Sequence, residues 1–294
     1  MRPGVPHYVY GVENTIIHGG HFYCASQMQA TVESLVHTFI LSNFISNTFH
    51  PPSRELLRRI VVFWALGLLQ HPFSANGITG ACFSSHFLIK TSDDEHLHLP
   101  NVQTFQGLMD LISGCALAVL GNVLDFRTYS MPNQVKGDPT TRAQLQLWKD
   151  FDRNDIPGDE RMAICYARGV ALAVFGWIRD WCIVKTPDGE VVEDLPSKYL
   201  VNLLDALVGY KAKAKAQGLE GAPHCAPWML KAQISNVVKC DRSVETLWGQ
   251  RTSRSSDSLR MDMDDGCTVQ WKDDLPSSEW LPCKLYIYRL FCGS

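Results

Sequence analysis

The residues best suited to metal chemistry are three histidines close to the N-terminus. His7 follows a Pro-Gly-Val-Pro turn, and His18 and His21 flank the pair Gly19-Gly20. The neutral imidazole of histidine is the commonest metal ligand among side chains. His18 and His21 are three residues apart, so on a regular strand they point to opposite faces, and a shared three-histidine site would need a bulge at the glycines. We therefore take His7 as the candidate metal ligand.

A second histidine-rich string, EHLHLP, occupies residues 95–100 and follows two aspartates. His96 and His98 share a face if the chain is extended there, and imidazoles next to carboxylates are able to hold a divalent cation. The surrounding Pro, Gly and Asn residues are more typical of a solvated loop. We interpret residues 71–101 as such a loop.

Other chemistries leave no recognisable pattern in the sequence. There is no phosphate-binding loop ending in Gly-Lys-Ser/Thr, no nucleophile elbow and no pair of carboxylates in a recognisable context. The net charge is −3 and the sequence pI is about 6.4, so no overall field attracts nucleic acid. Lys211, Lys213 and Lys215 point in divergent directions on a helix, and we interpret them as the solvated C-terminus of that helix.

The ten cysteines are scattered, and no two are arranged as Cys-x-x-Cys. Structural zinc sites usually need such close pairs, so we expect reduced thiols that pack as small apolar side chains, as in an intracellular protein.

The N-terminus lacks the pattern of a signal peptide. Charges interrupt the apolar runs before they reach the ~20 residues that span a bilayer.

The secondary structure predicted for the chain changes from β to α after about residue 26. Residues 1–26 predict a β-hairpin, because short alternating runs flank a turn. Residues 27–252 predict a helical domain from apolar side chains at three-four spacing. Residues 253–294 are interpreted as a flexible acidic tail with a possible short strand in LPCKLYIYRLF. The predicted fold is therefore mainly α, with an N-terminal β-hairpin and a helical body.

Three details of the helical body carry further predictions. Ser53, after Pro51-Pro52, is a plausible helix N-cap. Gly107, Gly114 and Gly121 recur every seven residues, which suggests close packing of another backbone along one seam of their helix. Trp177 and Trp181 lie four apart on a strongly apolar helix, so we expect them in the core.

The opening stretch PGVPHYVYGVENTIIHGGHFY, residues 3–23, resembles the end of a JmjC domain. That family comprises iron(II)- and 2-oxoglutarate-dependent oxygenases on a double-stranded β-helix. The match covers about 20 residues, with His7 at the position of the last iron ligand and Gly19, Gly20 and Phe22 in the closing segment. His21 stands where the family commonly has asparagine. The helices that follow resemble, more loosely, the helical extension of histone-lysine demethylases in this family.

The resemblance implies an iron site made of two histidines and one carboxylate, and this chain departs from it. The family supplies the other two ligands as His-x-Asp or His-x-Glu on an earlier strand, and neither string occurs here. We expect the early strands to lie before Met1. A single imidazole does not hold Fe(II) at useful affinity, so we expect neither iron nor 2-oxoglutarate to bind this chain alone.

Two hypotheses of function follow. In the first, the chain is the C-terminal piece of a JmjC protein, inactive as written, whose family function is oxygenation or demethylation in the nucleus. In the second, it is a non-catalytic helical module that docks protein partners. Neither hypothesis predicts contact with a membrane or direct contact with nucleic acid.

Overall fold

The computed structural model describes residues 23–41, 51–69, 99–129, 156–219, 225–251 and 266–272. Within these ranges the chain is mainly helical, which confirms the predicted fold class at this level. The seven α-helices are α1 (Met28–Leu41), α2 (Pro51–Leu69), α3 (Phe105–Val119), α4 (Gly158–Trp181), α5 (Leu195–Ala216), α6 (Pro227–Val238) and α7 (Arg242–Gln250). The predicted hairpin, with His7, His18 and His21, lies outside the described residues, as does most of the loop with His96 and His98.

The central element is α3, in which every residue from Gly107 to Val119 is buried. Its neighbours are α1, α2, α4 and α5, and α5 also packs against α1, α4, α6 and α7. Thr104 caps α3, because its side-chain oxygen accepts a hydrogen bond from the Gly107 amide at 3.2 Å. This cap satisfies one of the unpaired amides at the start of a helix.

The glycines of α3 sit at close contacts of three different kinds. A Cβ on Gly107 would lie 2.0 Å from the backbone oxygen of Asn101, as the prediction of close backbone packing requires. At Gly114 the nearest atom belongs instead to the Trp64 indole, at 2.7 Å. Gly121 lies after the end of α3, where Ile164 approaches to 3.3 Å. Only the first contact is with another backbone segment; two large side chains from α2 and α4 approach the other two glycines.

The longest of the described helices, α4, is also strongly apolar. Helix α4 has 24 residues and is the one helix, within the described ranges, that is long and apolar enough to cross a membrane. A buried core helix has the same properties, and α4 packs along α2 and α3 with Ala171, Val174 and Phe175 in the core. Trp177 is buried as predicted, and Trp181 is half-buried.

Two strands complete the described structure. β1 (Cys182–Lys185) follows α4 directly and pairs antiparallel with β2 (Thr268–Trp271), with Cys182 opposite Trp271. A tight turn follows β1 at TPDGE, residues 186–190, since the Gly189 amide donates to the Thr186 carbonyl at 2.9 Å and Gly189 has φ +85°.

β2 corrects one prediction. It lies inside residues 253–294, which were interpreted as a flexible tail, whereas residues 266–272 are ordered by pairing with β1. The indoles of Trp271 and Trp177 stack with ring centroids 4.6 Å apart, and Trp271 Nε1 donates to the Val102 carbonyl at 3.1 Å. The strand predicted in LPCKLYIYRLF lies outside the described residues.

Candidate functional site

The principal charged site in the described structure joins α2, α4 and the segment after α3. It consists of Arg54, Arg58, Asp125, Arg127 and Glu160, and we call it the arginine cluster. Three guanidinium groups meet two carboxylates, which leaves an excess of one positive charge. Residues from positions 54 to 160 come together here because α2 and α4 pack side by side at their N-terminal ends.

Arg127 holds both carboxylates of the cluster. Its Nη2 lies 2.7 Å from Asp125 Oδ2 and 2.8 Å from Glu160 Oε1, and its Nη1 donates to Glu160 Oε2 at 2.9 Å. Its Nε donates to Asp125 Oδ1 at 3.1 Å. The planar fork of arginine matches two carboxylates in this way, whereas a lysine ammonium offers no such geometry.

These contacts set the protonation of the partners. Hydrogen bonds from Arg127 lower the pKa of Glu160 below its ordinary value, against the opposing effect of burial. Hydrogen bonds to Asp125 and then to Glu160 raise the pKa of Arg127. Glu160 is therefore held as a carboxylate and is a weak base, so it is poorly suited to proton transfer.

Arg58 enters the cluster from α2 and is almost completely buried, with 6% of its surface exposed. Its Nη2 donates to Glu160 Oε1 at 3.3 Å, while its buried Nε has no hydrogen-bond partner in the described part of the chain. The Nη2 of Arg58 is thus paired, whereas its buried Nε is not paired within the described ranges.

The cluster also receives the end of the N-terminal motif. Tyr23, the last residue of that motif, forms a side-chain hydrogen bond with Ser53 in α2. Its phenol also interacts electrostatically with the positive charges of Arg54 and Arg58. Burial raises the pKa of Tyr23, and burial lowers the pKa of Arg54. Ser53 is therefore not the N-cap of α2, which begins at Pro51; it lies in the first turn and anchors Tyr23.

A buried carboxylate supports the start of α1. Asp110 in α3 is fully buried, and its Oδ1 accepts a hydrogen bond from the Gln29 amide at 3.1 Å. Gln106 donates to Oδ2 of the same group at 3.3 Å. Burial raises the pKa of Asp110, and these hydrogen bonds partly oppose that effect. Asp110 does for α1 what an N-cap residue does, from a neighbouring helix.

A third charged group links two helix starts. Arg179 in α4 lies 3.3 Å from Asp194 and 3.2 Å from Asp241, which are the N-cap residues of α5 and α7. Asp194 has φ +45°, a left-handed conformation that is uncommon outside glycine. The side-chain oxygens of both aspartates also accept hydrogen bonds from amides in the first turn of their helices.

The lysine prediction is wrong at one position. Lys213 and Lys215 are exposed near the end of α5, as expected for a solvated helix terminus, but Lys211 is 1% exposed. Lys211 continues the buried line of α5 that includes Leu204 and Leu207. Its Nζ has no hydrogen-bond partner among the described residues.

Metal ligands and thiols complete the chemically reactive side chains of the described ranges. Within those ranges no group of three or more His, Cys, Asp or Glu side chains is placed to hold a metal ion. His7, the predicted ligand, is not among them. The described cysteines are free thiols, as predicted, and burial raises the pKa of Cys115 and raises that of Cys182 to about 12.

Comparison with protein-family models, curated proteins and solved structures gives no match for this chain. The assignment of function therefore depends on the motif and on the geometry described above.

Sequence reasoning missed the arginine cluster, because its members are separated by up to 106 positions, from Arg54 to Glu160. One local signal was available. Arg54 and Arg58 lie at i and i+4, so their side chains share a face of α2, and Arg58 falls within the apolar stripe through Leu57 and Val61.

Proposed function

We propose that this chain carries the C-terminal end of a JmjC-type β-helix together with the helical extension that supports it. The opening motif, with His7 at the position of the last iron ligand, carries the proposal. Tyr23 supports it, because the residue that ends the motif is held by Ser53 and lies beside the arginine cluster. The helical body then anchors the closing segment of the β-helix.

The residues of this chain do not fit an iron centre by themselves. The site of this family needs two imidazoles and a carboxylate, and the sequence offers His7 without a His-x-Asp or His-x-Glu string. Oxygenation or demethylation therefore requires ligands that this sequence does not encode. We assign no step of that chemistry to this chain.

An anaerobic calorimetric titration with Fe(II), with and without 2-oxoglutarate, tests the proposal at the metal. We expect no stoichiometric binding, because one imidazole provides too few ligands. Tight binding that disappears in His7→Ala would show that the chain assembles a site of its own, and the proposed incomplete centre would then be wrong.

The genomic sequence ahead of the Met1 codon tests the family assignment itself. The expected result is a reading frame that encodes His-x-Asp or His-x-Glu within about 150 residues, or one domain length. It should also encode the lysine that commonly holds the co-substrate in this family. A non-coding sequence in that interval would contradict the assignment and favour the second candidate function.

The second candidate is a non-catalytic helical module that docks a protein partner. Leu56 and Phe63 on α2 are 37% and 53% exposed, and Ile60 between them is half-buried. These residues lie at i, i+4 and i+7, so they form one apolar edge of α2. An exposed apolar edge of this kind favours association with another surface.

A further inference from the structure

We propose that the C-terminal part of α5 together with the turn that ends it, from Val208 to Leu219, is a conformational switch that opens while the rest of the helical body stays folded. The proposal depends on how α5 packs against the rest of the helical body. It holds whether or not the JmjC assignment is correct.

The first observation is that apolar burial stops before α5 ends. α5 has eleven buried residues, one of which is Lys211. The other ten are Leu195, Pro196, Ser197, Tyr199, Leu200, Leu203, Leu204, Ala206, Leu207 and Ala214. Nine of these ten precede Val208, and Ala214 contributes only a methyl group afterwards. Because most helical stability in proteins comes from packing of an apolar face, the end of α5 is held more weakly than its beginning.

The second observation concerns Lys211, which lies on the buried face of α5 within this weakly held part. Residues at three-four spacing share a face of a helix, and Leu204, Leu207, Lys211 and Ala214 follow that spacing. Lys211 is 1% exposed and its Nζ has no hydrogen-bond partner among the described residues. Burying such a group without a partner is unfavourable relative to its hydration in water. Opening returns the amine to water and removes that penalty.

Besides Ala214, the side chains of Val208 and Tyr210 close the segment, and both are only half-buried against the core. The ring of Tyr210 meets the edge of His37 in α1, with centroids 5.7 Å apart. The helix is then terminated by a hydrogen bond from the Leu219 amide to the Ala214 carbonyl at 2.9 Å, with Gly218 at φ +67°. The first contact would be lost on opening, whereas Asp205, which pairs with Arg251 at 3.1 Å, marks the part of α5 that stays in place.

Hydrogen exchange on the full chain, read by mass spectrometry, tests the switch. Peptides from residues 208–219 should exchange faster than peptides from residues 195–207 at the same temperature, since a local opening requires less free energy than global unfolding. In Lys211→Met, which keeps an unbranched side chain but removes the amine, exchange of residues 208–219 should slow about tenfold. The exposed Lys215→Met is the matched control and should leave exchange unchanged.

Lys211→Leu removes the amine with a different apolar side chain and should also slow the exchange of residues 208–219. Agreement between the two variants attributes the effect to the amine and not to methionine. The proposal is overturned if residues 208–219 are as protected as residues 195–207 in the unmodified chain. It is equally overturned if both Lys211 variants exchange at the original rate or faster, because the amine would then be stabilising the closed form.

Discussion

At the scale of single residues, Arg127 matters most for the charged site, because it binds one carboxylate that is fully buried and one that is partly exposed. Asp125 has no exposed side-chain surface and Glu160 keeps 20%. Removing one partner of a buried ion pair leaves an uncompensated charge, which is far less favourable than the loss of a surface pair. The arginine cluster should therefore be sensitive to Arg127 and tolerant of changes at exposed charges nearby.

We predict that Arg127→Met lowers the free energy of unfolding by about 3 kcal/mol, measured by urea denaturation at neutral pH. Arg127→Lys should lose less, because the charge remains while the fork is lost. The control is Arg59→Met, which breaks the exposed pair with Glu55 on α2. That change should cost about 0.5 kcal/mol or less, and equal losses at the two positions would show that Asp125 does not depend on Arg127.

A second prediction concerns pH and Asp110. Because burial raises its pKa, the folded state binds a proton at Asp110 more strongly than the unfolded state does. The stabilisation that comes from this stronger proton binding is fully present below the ordinary pKa of aspartate, about 3.9. It is lost as pH rises through the raised pKa of Asp110 in the folded state. Asp110→Asn lacks the titration and can still accept the Gln29 amide.

Urea unfolding at a series of pH values measures this difference. The stability of Asp110→Asn relative to the unmodified chain should increase as pH rises above about 3.9 and should level off near neutral pH. A difference that is constant across this range would mean that the hydrogen bonds to Gln29 and Gln106 compensate the burial fully.

Single residues were predictable to different degrees. His7 was predicted from a local motif and lies outside the described residues, whereas the core position of Trp177 followed from spacing along one helix and is confirmed. Lys211 was misread because lysines near a helix end are usually solvated, although its spacing from Leu204 and Leu207 matched the buried line. The partners in the arginine cluster are distant in sequence, and no local pattern indicates them.

At the scale of elements, α3 is the helix on which packing depends most closely. The segment around Asn101 approaches Gly107 so closely that a methyl group has no room, since the obstructing atom is a backbone oxygen. Gly176 in α4 offers the opposite case, because a Cβ there would meet only the end of the Arg179 side chain, at 3.9 Å.

We predict that Gly107→Ala destabilises the protein by about 3 kcal/mol, because the start of α3 or the Asn101 segment must shift. The matched change Gly176→Ala should stabilise it by about 0.5 to 1 kcal/mol through the higher helix propensity of alanine. Thermal unfolding of both variants measures the contrast. A Gly107→Ala protein as stable as the original would contradict the close approach.

Helices with a regular apolar repeat, such as α1 and α6, were predictable as helical from the three-four spacing in residues 27–252. The short helix α7 was not, because its nine residues contain one fully buried side chain, Val244. β2 was also missed. It has four residues, and its partner β1 lies 86 positions earlier, so its pairing depends on a contact that periodicity does not report.

At the scale of the whole molecule, β2 joins the far end of the described chain to the helical body. Trp271 stacks on Trp177 of α4 and donates to the Val102 carbonyl before α3, so three distant segments meet at one indole. Residues 253–294 were interpreted as a tail from their acidic composition, and composition does not reveal a single anchoring side chain of this kind.

We predict that Trp271→Ala lowers the free energy of unfolding by about 2 kcal/mol, through the lost aromatic contact and the unpaired Val102 carbonyl. Amides of β1 should exchange faster in the same variant, since β2 is their partner strand. Trp228→Ala removes a tryptophan that is 41% exposed and should cost less than about 1 kcal/mol. Unchanged exchange in β1 would show that Trp271 does not hold the strand.

The stacked indoles of Trp177 and Trp271 also give the molecule an optical reporter of its own. Two chromophores at a centroid distance of 4.6 Å, with ring planes inclined by 29°, couple their electronic transitions, and the coupling vanishes once the rings separate. Circular dichroism in the absorption bands of tryptophan should therefore follow the attachment of the C-terminal strand in real time, without a dye or an introduced label.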